Sequence, residues 1–310
     1  MGEKKVDLFE PAYLRSYKEK KLNEKIELLY KKLLSCDICP RKCKVNRMEG
    51  EKGYCKTGVK AMVSSSGPHF GEESPLVGYS GSGTIFFTYC NLGCLFCQNY
   101  DISHLGYGEE VDEKKLALIM LKLKKMGCHN INFVTPTHVI PQILKALSFA
   151  IEGGLDLPLV YNTGGYDSVE TLRILKGIFD IYMPDFKYFD PKVAKKYSNA
   201  EDYPLVVKEA LKEMHTQVGD LVIDEKGIAK RGLLIRHLVL PENLAGTKDA
   251  MRFISEELSP NSYVNVMEQY RPEFKAKNFS ILNRRITKDE YLSAIKMAKD
   301  AGLLRLDGLF

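Results

Sequence analysis

Residues 84–103, TIFFTYCNLGCLFCQNYDIS, join a short apolar run to three closely spaced cysteines. The run over residues 84–89 predicts a buried strand, because apolar and aromatic side chains dominate it. Cys90, Cys94 and Cys97 then follow in the pattern C-x3-C-x2-C. Three cysteines on one loop can ligate three irons of a cubane iron–sulfur cluster and leave the fourth iron open to another ligand. A zinc site with a distant fourth ligand, or plain buried thiols, is the alternative interpretation.

Five further strands are predicted beyond this loop, and segments of helical periodicity separate them. They cover residues 131–135, 158–162, 180–184, 233–239 and 263–269. Alternating strands and helices indicate an α/β fold with parallel strands. We therefore predict a partial (β/α)6 TIM-like barrel with an N-terminal helical and cysteine-rich extension, and an open doubly wound sheet is the competing arrangement. In both arrangements functional side chains lie at the carboxyl ends of the strands.

The chain divides into three predicted parts. Residues 1–58 form an N-terminal helix followed by a four-cysteine metal-binding knot, because apolar residues recur at helical spacing up to about residue 35 and turn-forming residues follow. Residues 59–83 are rich in Gly, Ser and Pro and are predicted to be a linker. Residues 84–310 form the barrel.

Two capping patterns predict helix starts within the barrel. Glu170 follows Asp167 by three residues, and Glu290 follows Thr287 by the same spacing. Such pairs favour a helix N-terminus, because each side chain accepts a hydrogen bond from a backbone amide that the helix leaves unpaired.

The composition excludes several classes of protein. Hydrophobic residues make up 45% and charged residues 27%, as in an ordinary folded globular protein. No apolar signal region follows the basic N-terminus, and the longest purely apolar stretch, residues 116–121, is too short to span a membrane. We therefore expect a cytoplasmic protein with no membrane partner. The net charge of +5 is spread along predicted helices, which disfavours a nucleic-acid partner.

A second group of cysteines precedes the barrel. Of the eight cysteines in the chain, seven lie within residues 36–97, and such clustering favours metal ligation over disulfides in the cytosol. Cys36, Cys39, Cys43 and Cys55 supply four thiolates, enough to close a zinc site or to hold a second iron–sulfur cluster. A structural role is favoured for this site, followed by electron relay and then by unliganded thiols.

The motif around the first three cysteines resembles the signature of the radical S-adenosylmethionine (SAM) superfamily, C-x3-C-x-aromatic-C, with Phe96 at the aromatic position beside the cofactor. The resemblance implies that Cys90, Cys94 and Cys97 hold a [4Fe–4S] cluster whose open iron is chelated by the amino and carboxylate groups of SAM. It also implies reductive cleavage of SAM to methionine and a 5′-deoxyadenosyl radical that abstracts hydrogen from a substrate. The cofactors carry this chemistry, and the protein orients them and excludes water.

Further motifs resemble the activating enzymes of the pyruvate formate-lyase type. They are CPRKCKVNR, GPHFGEE, CQN, VTPTH and MPDFKY, scattered over residues 39–188. This resemblance implies a radical SAM oxidoreductase that activates a glycyl radical enzyme and takes electrons from a donor such as flavodoxin or ferredoxin. Radical modification of a small molecule, an RNA or a peptide is the alternative. A metal-stabilised nucleic-acid-binding module is the alternative from another class, and six strand–helix units make it a poor account of residues 84–310.

Three strand-end residues match elements that contact the cofactor in this family. MPDFKY resembles the Asp-x-Lys element and supplies Asp185 and Lys187. IRHLVLP resembles the R-x-V-x-P element and offers Arg236, whose planar guanidinium suits a carboxylate. Because adjacent strand residues point to opposite faces, only one of Arg236 and His237 is expected to face the cofactor.

Two strand ends depart from the family pattern. FVTPTH stands where relatives have a Gly-Gly-Glu element that binds the amino group of SAM, so Thr135 is expected to substitute, with Thr137 and His138 as alternatives. YNTGGY stands where relatives have an aspartate, so Asn162 offers an amide oxygen without charge.

The last strand end also departs from the pattern. MEQY stands where activating enzymes often have a histidine, which leaves Gln269 or Tyr270 for that role. His69, Glu72 and Glu73 lie just before the first strand of the barrel and are candidates for a metal site or for substrate binding, with a solvated linker as the alternative.

Overall fold

The computed structural model describes residues 9–308 of the chain. One sheet organises this part of the protein, and its strands are β1 Ala61–His69, β2 Ser82–Phe87, β3 Glu109–Val111, β4 Ile131–Val134, β5 Leu159–Thr163, β6 Ile181–Pro184, β7 Val222–Ile223, β8 Ala229–Leu238, β9 Tyr263–Met267 and β10 Arg305–Leu306. The helices are α1 Ala12–Lys18, α2 Lys21–Lys31, α3 Ser74–Val77, α4 Tyr100–Ser103, α5 Glu113–Lys125, α6 Ile140–Glu152, α7 Val169–Ile174, α8 Pro191–Ser198, α9 Tyr203–Val218, α10 Thr247–Phe253 and α11 Lys288–Asp300. A π-helical turn over Ile254–Leu258 continues α10.

Six strands lie side by side in the order β2–β4–β5–β6–β8–β9, and each pairs in parallel with the next. Parallel neighbours require crossover connections, which the helices between them supply. A doubly wound sheet reverses its strand order at a switch point. Here the order runs on in one direction and continues into β10. The fold is a partial TIM-like barrel of the α/β class, which confirms the predicted fold.

The six predicted strands correspond to these six parallel strands, with shifts at their ends. The largest shift is in β8, which begins at Ala229, before the predicted start. Its first residues pair with β7 in an antiparallel hairpin, and that hairpin extends the strand. The short strands β3 and β10 were not predicted, because two or three residues carry too little pattern to be recognised.

Strand β1 corrects the prediction of a linker over residues 59–83. It pairs antiparallel with β2, from Val63 opposite Phe87 to His69 opposite Ser82. The sequence of β1, AMVSSSGPH, has the composition of a loop, because Ser, Gly and Pro fill its second half and Gly and Pro are depleted in strands. Residues 61–69 therefore belong to the sheet, whereas the division of the chain into three parts stays a prediction.

The strands separate two apolar cores and become polar toward their carboxyl ends. On β8, Leu233 and Ile235 belong to the larger core beneath the helices, and Leu234 belongs to a smaller core on the other face. Leu76 of α3 is fully buried in that smaller core. The next residue on the face of Leu234 is Arg236, because side chains alternate along a strand. This face of β8 thus changes from apolar to charged toward the carboxyl end of the strand.

The N-terminal region is helical, as expected, but in two pieces. Residues 1–8 of the predicted helix lie outside the described residues. α1 and α2 are separated at Lys20, whose φ is 60°, and α2 ends at Lys31, before the predicted end. α2 packs against α6 and buries Leu29. Within residues 9–308, no helix has the length and apolar character needed to cross a membrane.

One of the two predicted capping patterns is confirmed. Thr287 and Glu290 form a capping box at the start of α11. The other prediction is wrong, because Ser168, and not Asp167, caps α7. Asp167 is instead buried within the barrel, where it accepts side-chain hydrogen bonds.

Candidate active site

The cysteine loop, residues 88–99, begins where β2 ends. The amide of Thr88 donates to the carbonyl of Met62 at 3.0 Å, and a ring nitrogen of His138 lies 2.8 Å from the carbonyl of Thr88. The chain then turns at Tyr89, whose φ is 62°. These contacts fix the start of the loop at the carboxyl end of a barrel strand, the usual position of TIM-barrel active sites.

The three thiols of the loop share one cavity. Cys90, Cys94 and Cys97 line a cavity of about 220 Å³. The amide of Leu92 donates to Cys90 Sγ at 3.3 Å, and the hydroxyl of Ser103 donates to Cys97 Sγ at 3.1 Å. Hydrogen bonds to ligand sulfurs tune iron–sulfur clusters. The donors around this cavity therefore fit the predicted cluster.

Two thiols of the cysteine loop, Cys90 and Cys97, are costly to ionise without a cation. Burial, reinforced by the neighbouring Cys94 and Cys97, raises the pKa of Cys90 to about 12. Burial also raises the pKa of Cys97. A coordinating metal ion offsets this cost, because it binds the thiolate form and keeps it deprotonated. The arrangement suits a metal centre better than a cysteine nucleophile.

The residues predicted to contact the cofactor line the same cavity as the three cysteines. They are Phe96, Thr135, Asn162, Asp185, Lys187 and Arg236. The parallel barrel explains the grouping, because the carboxyl ends of its strands converge on one rim. Thr135 has φ 60°, and its amide donates to the carbonyl of Asn162 at 2.8 Å, which links the ends of β4 and β5.

Asp185 is held between two cations. Arg236 Nε donates to Asp185 Oδ1 at 2.8 Å, and Lys187 Nζ donates to Asp185 Oδ2. Burial opposes ionisation of Asp185, but Arg236 and Lys187 outweigh it, so the pKa of Asp185 lies below its ordinary value. A second guanidinium nitrogen of Arg236 donates to Asn162 Oδ1 at 2.7 Å. Arg236 therefore organises the ends of three strands, and His237, buried against Phe186 and Thr247, points away as expected.

Two glutamates from the segment between β1 and β2 approach the same guanidinium. Arg236 lies 3.8 Å from Glu72 and 3.9 Å from Glu73, and both carboxylates are buried. Glu73 also accepts a hydrogen bond from Asn265 at 3.0 Å. Burial raises the pKa of Glu72 to about 7 despite the favourable charge of Arg236. His69 does not join this group, since its ring packs edge-on to Phe86 on β2.

Asp167 is a site-supporting residue that the sequence did not reveal. Its carboxylate accepts hydrogen bonds from the hydroxyls of Thr137, Tyr161 and Thr163 at 2.7–2.8 Å. Thr163 lines the cavity of the cysteines. Burial raises the pKa of Asp167 although these three hydroxyls favour its ionised form. The sequence does place the Asp167 carboxylate shortly after a predicted strand, but its spacing from Glu170 also fits a helix cap, and the pattern predicts that role instead.

The mouth of the cavity is bounded by the segment that follows β9. Gln98 donates to the carbonyl of Gln269 at 2.8 Å, and Gln269 lines the cavity. Tyr270 instead donates its hydroxyl to the carbonyl of Leu282 in the interior. Of the two residues predicted for this strand end, Gln269 is the one at the cavity. Phe274 stacks on His104 at 4.4 Å, and the amide of Lys275 donates to the carbonyl of Leu95 at 3.0 Å, which holds the segment against the cysteine loop.

The four N-terminal cysteines surround a second, smaller cavity. Cys36, Cys39 and Cys55 are buried and Cys43 is half-buried, and all four line this cavity. Within residues 9–308, no three His, Cys, Asp or Glu side chains are arranged around a single ion position. The four thiols nevertheless share one cavity.

The sequence of the barrel also matches a family model. Residues 84–254 match the model of the Radical SAM superfamily. The chain belongs to this superfamily. Its members use a [4Fe–4S] cluster and SAM for radical chemistry and require an electron donor, so this protein is a radical SAM enzyme. Cys90, Cys94 and Cys97 are the residues whose cavity fits that cluster.

Two individual proteins resemble this radical SAM enzyme. An uncharacterized protein of Methanocaldococcus jannaschii is 36% identical over 312 residues, which cover 97% of this chain and 85% of that protein. The crystal structure of a radical SAM methyltransferase from Sphaerobacter thermophilus has a TM-score of 0.49 and 12% identity, over 71% of this chain and 64% of that one. The match thus spans less than two thirds of the methyltransferase.

Proposed function

We propose that this radical SAM enzyme directs a 5′-deoxyadenosyl radical at a backbone glycine of a protein partner, as activators of glycyl radical enzymes do. The observation that carries the proposal is the single cavity that joins the three cysteines of the loop to the charged ends of the barrel strands.

Cys90, Cys94 and Cys97 would hold the [4Fe–4S] cluster, with Phe96 packed behind the loop against Tyr188. When bound and reduced, the cluster supplies the electron that cleaves SAM. The chain supplies thiolate ligands and amide and hydroxyl donors to their sulfurs. The buried surroundings exclude solvent and so limit side reactions of the reactive intermediate.

The strand ends would bind SAM. Asp185 and Lys187 present an ionised pair at the cavity, suited to the amino and hydroxyl groups of the methionine and ribose parts. Asn162 and Thr135 offer uncharged polar groups beside them. Arg236 was expected to bind the carboxylate of SAM directly. Its contacts with Asp185 and Asn162 favour a positioning role as well, because it fixes both side chains at the cavity.

The rim of the cavity favours a macromolecular substrate. The cluster and SAM would themselves occupy the cavity, so the substrate is presented at its mouth. The rim carries the amide side chains of Gln98, Asn99 and Gln269, which can pair with peptide backbone. Nearby Leu105 and Tyr107 are half or more exposed and provide apolar contact area.

Anaerobic fractionation tests the proposal. Reconstituted, reduced enzyme would be incubated with SAM and with either the macromolecular or the small-molecule fraction of an extract of the source cells. We expect the macromolecular fraction alone to accelerate SAM cleavage and to acquire a stable organic radical, detected by electron paramagnetic resonance (EPR). The Cys94→Ala variant is the control that must produce neither signal. Acceleration by the small-molecule fraction, or by a component that ribonuclease destroys, would contradict the proposal.

A further inference from the structure

The four-cysteine knot, residues 36–58, is built around its thiols and has a very small apolar core. Its own apolar cluster consists of Leu33, Cys36 and Ile38, with Tyr30 and Val45 packed against it. Short segments with so little apolar burial are held together by disulfides or by metal. The cysteines of the knot are free, and all four line one cavity. A metal centre is therefore the expected organiser of this segment.

The knot touches the cysteine loop through a chain of three contacts. The amide of Tyr54 donates to Cys43 Sγ at 3.3 Å. The phenol of the same Tyr54 donates to the carbonyl of Leu92 at 3.4 Å, and the amide of Leu92 donates to Cys90 Sγ at 3.3 Å. Two residues thus connect a thiol of the knot to a thiol of the radical site. Gly93, with φ 73°, permits this approach, because a Cβ there would lie 2.5 Å from the phenol oxygen.

Arg41 strengthens the same junction. It lies between Cys39 and Cys43 in the sequence, and its guanidinium donates to the carbonyls of Asn91 and Leu92, both at 2.9 Å. The guanidinium also stacks on the Tyr54 ring, 3.9 Å from the ring centre. The knot therefore packs directly on the cysteine loop through the side chains of Tyr54 and Arg41.

The arrangement of the four thiols around a shared cavity, and not their spacing in sequence, favours an iron–sulfur cluster over zinc. The spacing Cys36-x2-Cys39-x3-Cys43-x11-Cys55 is compatible with either centre. Zinc requires four sulfurs about 2.3 Å from one ion. Cysteines of a cubane bind different irons and need only face one cavity, as these four do. Among the described residues, neither cysteine group converges on a single ion position.

We propose that the knot holds a second [4Fe–4S] cluster, ligated by Cys36, Cys39, Cys43 and Cys55, through which electrons reach the radical site by way of Tyr54 and Leu92. A flavodoxin-type or ferredoxin-type donor gives up one electron and is oxidised. The knot centre is reduced by that electron and returns to its oxidised form when the radical-site cluster accepts it. The relay rests on the radical chemistry of the proposed function but not on the identity of its substrate.

Metal analysis tests the cluster itself. In wild-type protein reconstituted with iron and sulfide we expect about eight irons per chain, and in the Cys90, Cys94 and Cys97→Ala triple variant about four, with an iron–sulfur EPR signal on reduction. Bound zinc without iron in the triple variant, or a folded triple variant with neither metal, would overturn the proposal. Because this measurement needs no substrate, its result does not depend on whether the proposed function is correct.

The rate of reduction tests the relay. Reduced flavodoxin would be mixed with each protein, and arrival of the electron at the radical-site cluster would be followed by its EPR signal in the presence of SAM. We expect Tyr54→Leu to lose the fast phase while keeping its full iron content. Tyr79→Leu, an exposed tyrosine packed on His129, is the matched control and should keep the fast phase. Equal rates in Tyr54→Leu and wild type would overturn the relay.

Discussion

The cysteine loop and the four-cysteine knot both place thiols around a cavity, but they differ in ligand number and in what faces the sulfurs. The loop has three cysteines, and its cavity is also lined by Asp185, Lys187 and Arg236. The knot has four cysteines, and its smaller cavity is lined mostly by its own segment. Three ligands leave an iron open to SAM, whereas four ligands saturate a cluster. Ligand number therefore separates a reactive centre from an electron-transferring one.

The largest expected effect comes from replacing one cysteine in each group. Cys94→Ala should abolish formation of 5′-deoxyadenosine, because it removes a ligand from the cluster that binds SAM. Cys43→Ala should leave SAM cleavage measurable when a small chemical reductant bypasses the knot, and it should lower the melting temperature. Anaerobic product analysis and thermal unfolding of both variants check this. Equal loss of product in the two variants would contradict the proposal that the cysteine loop binds SAM and that the knot transfers electrons.

The next largest effect concerns Arg236, which lines the cavity of the cysteine loop and not that of the knot. Arg236→Ala leaves the buried carboxylates of Glu72 and Glu73 without their counter-charge and Asp185 with Lys187 alone, so we expect a loss of about 3–5 kcal/mol in the free energy of unfolding. SAM affinity should fall about tenfold to a hundredfold. Denaturant unfolding and SAM titration measure the two losses. Arg231→Ala, at an exposed position of the same strand, is the control: it removes one hydrogen bond to the carbonyl of Gln217, so it should lower stability by no more than about 1 kcal/mol and leave SAM affinity unchanged.

A smaller effect comes from Glu72, whose pKa in the folded state is raised from 4.5 to about 7. The folded protein holds this proton more tightly than the unfolded chain, so Glu72 makes stability fall as pH rises from 4.5 through 7. Glu72→Gln should remove this slope and stabilise the protein at pH 8 by up to about 3 kcal/mol. At pH 4 its effect should be near zero.

Denaturant unfolding across this pH range measures the contribution of Glu72. Glu109→Gln is the control, because the Glu109 side chain is 83% exposed. A pH slope that is identical in wild type and Glu72→Gln would show that the buried carboxylate does not hold a proton at neutral pH.

The smallest expected effect lies at the junction between the two cysteine groups. Arg41→Lys keeps a positive charge but cannot donate to the carbonyls of Asn91 and Leu92 at once. We expect a loss of about 1–2 kcal/mol in stability and an increase in amide hydrogen exchange within residues 88–99. An increase in exchange that is confined to other segments would mean that the contacts of Arg41 do not stabilise the cysteine loop.

Local patterns predicted the features that are themselves local. The spacing of Cys90, Cys94 and Cys97 lies within one loop, and the apolar runs that form the parallel strands are continuous in sequence. The strand ends follow from those runs, because the barrel geometry brings them together. For that reason the cavity gathers side chains as distant in sequence as Thr135 and Arg236.

Features that depend on long-range pairing were missed. Strand β1 is stabilised by β2 and not by its own Ser-rich sequence. Asp167 has the local pattern of a helix cap, but burial against Tyr161 and Thr163 decides its role. The contact of Tyr54 with Leu92 joins two loops that no spacing rule relates. Each of these required the packed barrel before it could be recognised.

The most direct test of the account is EPR and electron-nuclear double resonance of the reduced protein with SAM labelled by 15N in its amino group and 17O in its carboxylate. The triple variant of Cys36, Cys39 and Cys43→Ala isolates the signal of the radical site if it remains folded, and power saturation separates the signals in wild type. We predict hyperfine coupling from both labels to one iron of the cluster at Cys90, Cys94 and Cys97. A spectrum that SAM leaves unchanged would contradict it.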